Sequence, residues 1–188
     1  MKGFSFFCYM KKLIVMFVLF SIHSFGQIDG QNFCDGNKSG SYFPLDIRIK
    51  KIVWFNTFYF EKRINTKSIN GIDYIEFEQK WEDKSIDLLY LRELDGKVFQ
   101  FDEKKKTEFL RFDKSLKEQQ SWSDSGNEYK IIMYNGVLIT PYCFYKDLLI
   151  LEAKYPKVTY KFYYLKGFGY VGATRDDKLI SYIKPEIN

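Results

Sequence analysis

Residues that usually carry acid–base, nucleophilic or metal chemistry are scarce in this chain. Its 188 residues include one histidine, His23, and three cysteines. Catalytic triads need an imidazole base, and zinc and copper sites usually use imidazole ligands. His23 lies in an N-terminal segment that resembles a removable signal, so the mature chain would contain no histidine. We therefore expect no catalytic residues of these kinds, no metal site and no cofactor.

Two further patterns could carry chemistry and are better explained by structure. Residues 167–172 read G-F-G-Y-V-G, which matches the glycine pattern of dinucleotide-binding loops. That function needs a helix to begin at the glycines, whereas a charged turn at 174–178 follows, so we expect a bulge or sharp bend between strands. Acidic pairs such as Glu76 with Glu78 suggest a carboxylate-dependent hydrolase only weakly, because no pattern places two acids in one cleft. We predict that the protein is not an enzyme.

The first 26 residues have the order of features found in a signal peptide. Lys11 and Lys12 precede an apolar run at 13–20, and Ser24-Phe25-Gly26 provides small residues before Gln27. The alternative, a transmembrane anchor, would need about 20 apolar residues. We expect cleavage and export to the periplasm or the cell exterior, with no transmembrane anchor left. Met10 is an alternative start to Met1, since a complete signal follows it.

The charge pattern argues against nucleic-acid binding. Removing a signal with three lysines and no acidic residue lowers the formal charge from +5 to +2. The densest basic cluster, at 104–106, is surrounded by Asp102, Glu103 and Glu108. A basic stripe that could follow a phosphate backbone is absent from the sequence.

Cys34 and Cys143 remain after cleavage. Export would place them where disulfides form, and only one pairing is available. A bridge between them and two free thiols both stay open, because sequence does not supply the geometry.

The chain from residue 42 onward has the sequence pattern typical of antiparallel β structure. Residues 27–41 are polar and glycine-rich and are expected to form a flexible leader, whereas 42–188 form a single domain of short aromatic and β-branched runs. Asn-Gly or Asp-Gly pairs at 70–71, 95–96 and 135–136 predict three tight hairpins. Eight to ten strands follow, with a loop or short helix at 114–120.

The predicted fold class is all-β: a strongly curved antiparallel sheet, half-barrel or clam-like, with at most one short helix. Thirty of the 162 residues after the signal are Phe, Tyr or Trp. They either fill the core and an amphipathic surface, or they line a groove for an apolar or extended ligand. The residues expected on the concave face are Trp54, Tyr74, Tyr90, Tyr160, Phe162 and Tyr164.

Short motifs resemble those of a known group of proteins. The matching pieces are Gly40–Leu45 with Trp54, then Tyr90–Val98, and Tyr164–Val171 with Ile180–Tyr182. Together they resemble small uncharacterised secreted proteins and lipoproteins of bacteria, the DUF3108-like class. The resemblance implies a curved antiparallel sheet in or outside the cell envelope, and it implies no activity. Residues 46–50 depart from the pattern, where a small turn with glycine would be expected.

Two kinds of function fit these observations. The first is an exported, non-enzymatic binding or interaction module that uses an aromatic-rich sheet face to hold an apolar or extended ligand. The second is an assembly, structural or inhibitor (immunity-type) protein of the envelope that acts through contacts with another protein.

Overall fold

The computed structural model describes Cys34 and residues 39–47, 49–124 and 126–185. Over these ranges the chain contains strands and turns and no helix, which confirms the predicted all-β class. The predicted signal peptide and most of the predicted leader lie outside the described residues. Residues 114–120, expected as a loop or short helix, form a loop.

Twelve strands form one sheet, two more than the upper end of the expected range. The first six are β1 (Ile49–Trp54), β2 (Thr57–Ile69), β3 (Ile72–Trp81), β4 (Ile86–Leu94), β5 (Lys97–Asp102) and β6 (Thr107–Asp113). The second six are β7 (Ser121–Asp124), β8 (Asn127–Ile139), β9 (Phe144–Tyr155), β10 (Val158–Leu165), β11 (Gly169–Arg175) and β12 (Lys178–Lys184).

The sheet consists of two antiparallel meanders joined in the middle. Its strand order is β6-β5-β4-β3-β2-β1-β12-β11-β10-β9-β8-β7, so the pairing of β1 with β12 joins the halves. Strands β6 and β7 are consecutive in the chain and yet lie at opposite edges of the sheet. The short loop at 114–120 therefore requires the two edges to approach each other, and the sheet must curve strongly.

The edges meet at a seam, which we define as the contact of β6 with β7. The backbone N–H of Leu110 donates to the Asp124 carboxylate at 2.8 Å, and the Trp122 indole N–H donates to the Leu110 carbonyl at 3.2 Å. Among the described residues no backbone ladder joins the two strands. Side chains thus hold the sheet nearly closed, which agrees with the expected strong curvature.

Two of the three predicted hairpin turns are confirmed. Asn70-Gly71 and Asp95-Gly96 all have positive φ, between 52° and 79°, as a two-residue turn requires. The prediction at 135–136 is wrong, because β8 runs through this pair with several shifts of register against β9. A Cβ at Gly136 would lie 2.4 Å from the Ile150 side chain, so the glycine permits close packing of the bulged strand.

A segment before β1 closes one end of the interior; we call residues 39–47 the arm. Phe43 stacks on Phe112 of β6 and on Tyr164 of β10, with ring centroids 4.8 and 4.3 Å away. Cys34 and Cys143 form a disulfide with a Cα separation of 5.4 Å, which connects the chain before the arm to the turn between β8 and β9. The arm therefore bridges both halves of the sheet.

Candidate functional site

The concave side of the sheet holds a half-open cavity of about 290 Å³. Its apolar and aromatic wall comes from the arm and from six strands, with Trp54 on β1, Phe77 on β3 and Phe162 on β10 as large members. Alternation along β4 places Leu89 and Leu91 on the same wall. The aromatic residues therefore line a cavity on this side of the sheet.

A second cavity of about 230 Å³ adjoins the first. The two share the lining residues Gln100, Arg111, Phe162 and Tyr164. The second one is bounded by β6 on one side of the seam and by β8, next to β7, on the other. Together they form one space of the size of small-molecule sites, which is roughly 300–1,000 Å³. We call it the sheet cavity.

Five charged side chains line the sheet cavity. Lys50, Lys105 and Arg111 carry positive charge, and Glu61 and Asp102 carry negative charge. Glu61 accepts a hydrogen bond from the Gln79 amide at 2.8 Å. Among the described residues no carboxylate lies within ion-pair distance of Lys50 or Arg111. The interior thus holds one positive charge more than it holds negative charges.

Lys50 is almost fully buried, with 5% of its surface exposed. Its ammonium lies over the Phe168 ring, 4.8 Å from the centroid. In the register of β1 with β2, the backbone of Lys50 lies opposite that of Glu61. Burial lowers the pKa of Lys50 to about 8, and the charge of Glu61 counteracts part of this effect. The ammonium is therefore largely protonated at neutral pH in a place where charge is costly.

Arg111 lies where the two cavities meet. Its guanidinium donates to the Gln100 side-chain oxygen in a short hydrogen bond and also interacts with the Tyr164 hydroxyl. Burial by itself would lower the pKa of Arg111, but Tyr164, Tyr155 and Glu61 together raise it above its usual value. The side chain stays charged and is held in place by neutral partners.

The tyrosines around these charges remain protonated. Burial raises the pKa of Tyr59, Tyr164 and Tyr170 above the ordinary value, while the charge of Arg111 acts in the opposite direction. The Tyr170 hydroxyl donates to Ser181 at 2.7 Å. The cavity wall therefore presents neutral hydroxyls that can donate or accept hydrogen bonds.

Three of the residues predicted on the concave face line the sheet cavity: Trp54, Phe162 and Tyr164. Tyr160 does not line it. Its ring lies 6.2 Å from Trp54 and 5.9 Å from Phe162, so it supports the aromatic wall from beside it.

Tyr74 and Tyr90 do not face the cavity. They form a separate buried cluster with Phe101, and Tyr90 lies between the cavity residues Leu89 and Leu91, which turns it to the other face of the sheet. The Tyr74 hydroxyl donates to Glu108 at 2.6 Å, and Lys67 donates to the Tyr90 hydroxyl at 3.1 Å. The structure thus places Tyr74 and Tyr90 outside the lining of the sheet cavity, beside polar partners on the other face of the sheet.

Sequence reasoning missed the charged residues of the cavity. Glu61 lies between half-buried Phe60 and exposed Lys62, as a solvent-facing residue also could, and Arg111 lies between half-buried Leu110 and buried Phe112. The one usable signal was that Arg111 falls between Leu110 and Phe112, two apolar neighbours. Alternation alone does not reveal which face of a sheet is enclosed.

In the described ranges no cluster of three His, Cys, Asp or Glu residues could hold a metal ion. No helix with the length and apolar character needed to cross a membrane occurs in the part of the chain described here. Comparisons of the chain with protein-family models, curated proteins and solved structures found no match.

Proposed function

We propose that this protein is a non-enzymatic binding module that holds an apolar small molecule inside its curved sheet. The observation that carries the proposal is a half-open cavity walled by Trp54, Phe77 and Phe162. Protein interiors are normally packed to the density of organic crystals, with few voids larger than a water molecule. A cavity of about 290 Å³ forfeits such packing contacts. A ligand would restore them, and the export predicted from residues 1–26 forms part of this proposal.

The composition of the wall supports a ligand with a substantial apolar body. Large binding pockets are usually lined by hydrophobic and aromatic side chains, with a few polar groups that fix the orientation of the ligand. Here the polar groups include the Gln79 and Gln100 amides and the Tyr170 hydroxyl. Burying apolar surface contributes about 25 cal/mol per Å². The aromatic wall would supply most of the affinity, and the amides would supply orientation.

Titration with the neutral fluorophore N-phenyl-1-naphthylamine tests the proposal. We expect saturable binding at one site, with a change in tryptophan emission because Trp54 lies in the wall. Two variants change the cavity in opposite directions: Phe162→Ala enlarges it, and Leu89→Trp fills it. Leu89→Trp should weaken binding at least tenfold, since the added ring occupies the space of the ligand.

Leu88→Ala is the matched control, because Leu88 precedes Leu89 on β4 and is 43% exposed. It should leave both binding and folding unchanged. Absence of saturable binding by the folded wild-type protein would refute the proposal. Equal binding by wild type and Leu89→Trp would show that the fluorophore occupies another surface.

A further inference from the structure

We propose that the ligand of the sheet cavity is a single-chain carboxylic acid, whose carboxylate is held by Arg111 and whose chain lies against the aromatic wall. The inference rests on the proposed function and deepens it by assigning the chemical class of the ligand.

The first argument is the charge of the cavity. Lys50, Lys105 and Arg111 line it together with two acidic residues, Glu61 and Asp102. A buried charge without a partner is costly, and an opposite charge brought by a ligand would offset that cost. The excess corresponds to one negative charge. A monoanion matches it, whereas a dianionic phosphate ester would leave the interior negative.

The second argument is the arrangement of Arg111. Its known partners are the Gln100 amide oxygen and the Tyr164 hydroxyl, which are neutral. A guanidinium has five N–H donors in a planar fork that matches the two oxygens of a carboxylate. Gln100 and Tyr164 thus fix the orientation of the fork and leave donors for a ligand.

The third argument is position. Arg111 lines both parts of the sheet cavity, next to the seam, while the apolar wall extends from it towards Trp54 and the arm. A carboxylate at Arg111 would lie next to the seam. The chain would then run into the deeper part, where Phe77 and Leu91 form the wall. Lys50, at the arm end of the first cavity, would contribute through its charge rather than through direct contact.

Calorimetric titration with four ligands that share a ten-carbon chain separates the effect of the head group from that of the chain. The ligands are decanoate, decanol, decylamine and decyl phosphate. We expect decanoate to bind at least tenfold more tightly than decanol, and decylamine to bind least. Decyl phosphate should bind more weakly than decanoate. Hydrogen bonds to charged groups contribute about 1.5–3 kcal/mol, so Arg111→Met should lower the preference for decanoate over decanol by roughly 10- to 100-fold.

Arg111→Met should leave decanol affinity within about twofold, because the apolar wall remains. Lys161→Met is the matched control, since Lys161 forms an exposed ion pair with Asp177 at 2.7 Å, outside the sheet cavity. It should change neither affinity.

The outcomes separate this inference from the proposed function. Equal binding of decanoate and decanol, with the neutral fluorophore still bound, would overturn the carboxylate inference and leave the binding module intact. Tighter binding of decyl phosphate would overturn the assignment to a carboxylate. An equal loss of decanoate and decanol in Arg111→Met would show that Arg111 only maintains the cavity. Failure of every ligand and of the fluorophore would overturn both proposals.

Discussion

The buried ammonium of Lys50 lowers the free energy of unfolding of the ligand-free protein. Its ammonium is surrounded by the Phe168 ring and by the turn at Gly169, where a Cβ would lie 3.0 Å from the Lys50 nitrogen. The one charged group that opposes its desolvation is Glu61 on the neighbouring strand. Functional sites often contain such costly groups, because the ligand supplies the missing partner.

Replacement of Lys50 by methionine should stabilise the ligand-free protein at neutral pH. The pKa of Lys50 is about 8 in the folded protein and near 10.5 when unfolded, so the unfolded chain binds more protons between these values. The penalty is fully present below pH 8 and fades as pH rises to 10.5. We expect Lys50→Met to raise the free energy of unfolding by roughly 1–3 kcal/mol at pH 7, since each pKa unit corresponds to about 1.4 kcal/mol and the cavity moderates the effect.

Urea unfolding of both proteins at several pH values between 7 and 10 measures this difference. The gap between variant and wild type should shrink as pH rises. Comparing the two proteins cancels the tyrosines, whose raised pKa values act above pH 10 in both. A constant gap over this range would contradict the assigned protonation of Lys50.

For individual residues, the sequence predicted the aromatic residues that line the sheet cavity better than the charged ones. Trp54, Phe162 and Tyr164 could be selected because their type and alternation both indicated a buried face. The same reasoning selected Tyr74 and Tyr90, which are buried on the convex side beneath Lys67 and Arg92. Burial of a tyrosine is readable from sequence, but the face on which it is buried is not.

Among the elements, the hairpin of β8 and β9 departs most from regular geometry. Its strands shift register three times, between Ile131 and Leu138. Through these bulges its end reaches β11 and β12, where Leu138 lies close to Gly172 and Tyr142 lies 6.1 Å from Tyr182. Extra residues on one strand bend it and increase its twist. The hairpin thus packs against strands that are not its neighbours in the sheet.

Gly172→Ala should disrupt this close approach. A Cβ at this position would lie 2.7 Å from the Ser181 carbonyl oxygen and 2.8 Å from the Leu138 side chain. The carbonyl belongs to the paired strand β12 and cannot move without breaking the ladder. Overpacking of this kind costs about 1–3 kcal/mol, which urea unfolding would detect.

Gly71→Asn serves as the comparison. Gly71 has φ of +79° and no atom within 4 Å of an added Cβ, and asparagine tolerates this conformation. Its free energy of unfolding should stay within about 0.5 kcal/mol of wild type. An equally small effect of Gly172→Ala would contradict the close contact of the two strands.

The two kinds of Asn-Gly pair show the limit of prediction at this scale. At 70–71 the pair makes a tight turn, and at 135–136 it lies within a bulged strand. Ile69 and Ile72 flank the first pair, and Tyr134 and Val137 flank the second, so a rule that uses the pair and its apolar neighbours does not distinguish them. The difference comes from Ile150 on β9, whose side chain occupies the space beside Gly136.

At the scale of the whole molecule, the cavity depends on closure of the sheet. Closure needs the pairing of β1 with β12 and the meeting of β6 with β7, and sequence patterns specify neither partner. Curvature could be expected from the number of strands and aromatic residues. The unfilled interior could not, because its volume depends on how far the edges approach.

The seam is therefore the part of the fold whose weakening should most directly open the interior. The Leu110 N–H donates to Asp124, and Trp122 donates to the Leu110 carbonyl. Arg111 and Phe109, on either side of Leu110, line the cavity next to this seam. Opening would expose the cavity to solvent at the position proposed for the carboxylate.

Asp124→Ala should accelerate hydrogen exchange of the Leu110 amide by roughly tenfold or more. Loss of a charge-assisted bond leaves this N–H without its acceptor at a cost of about 1–3 kcal/mol, and each 1.4 kcal/mol corresponds to a factor of ten. Asp124→Asn retains an acceptor oxygen and should restore slow exchange. Ser123→Ala, at an exposed position of the same strand, should exchange like wild type.

Because an open seam gives access to the sheet cavity, decanoate should also dissociate faster from Asp124→Ala than from either comparison variant. Unchanged exchange at Leu110 in Asp124→Ala would show that closure does not depend on this contact and that ligand reaches the cavity by the arm end instead.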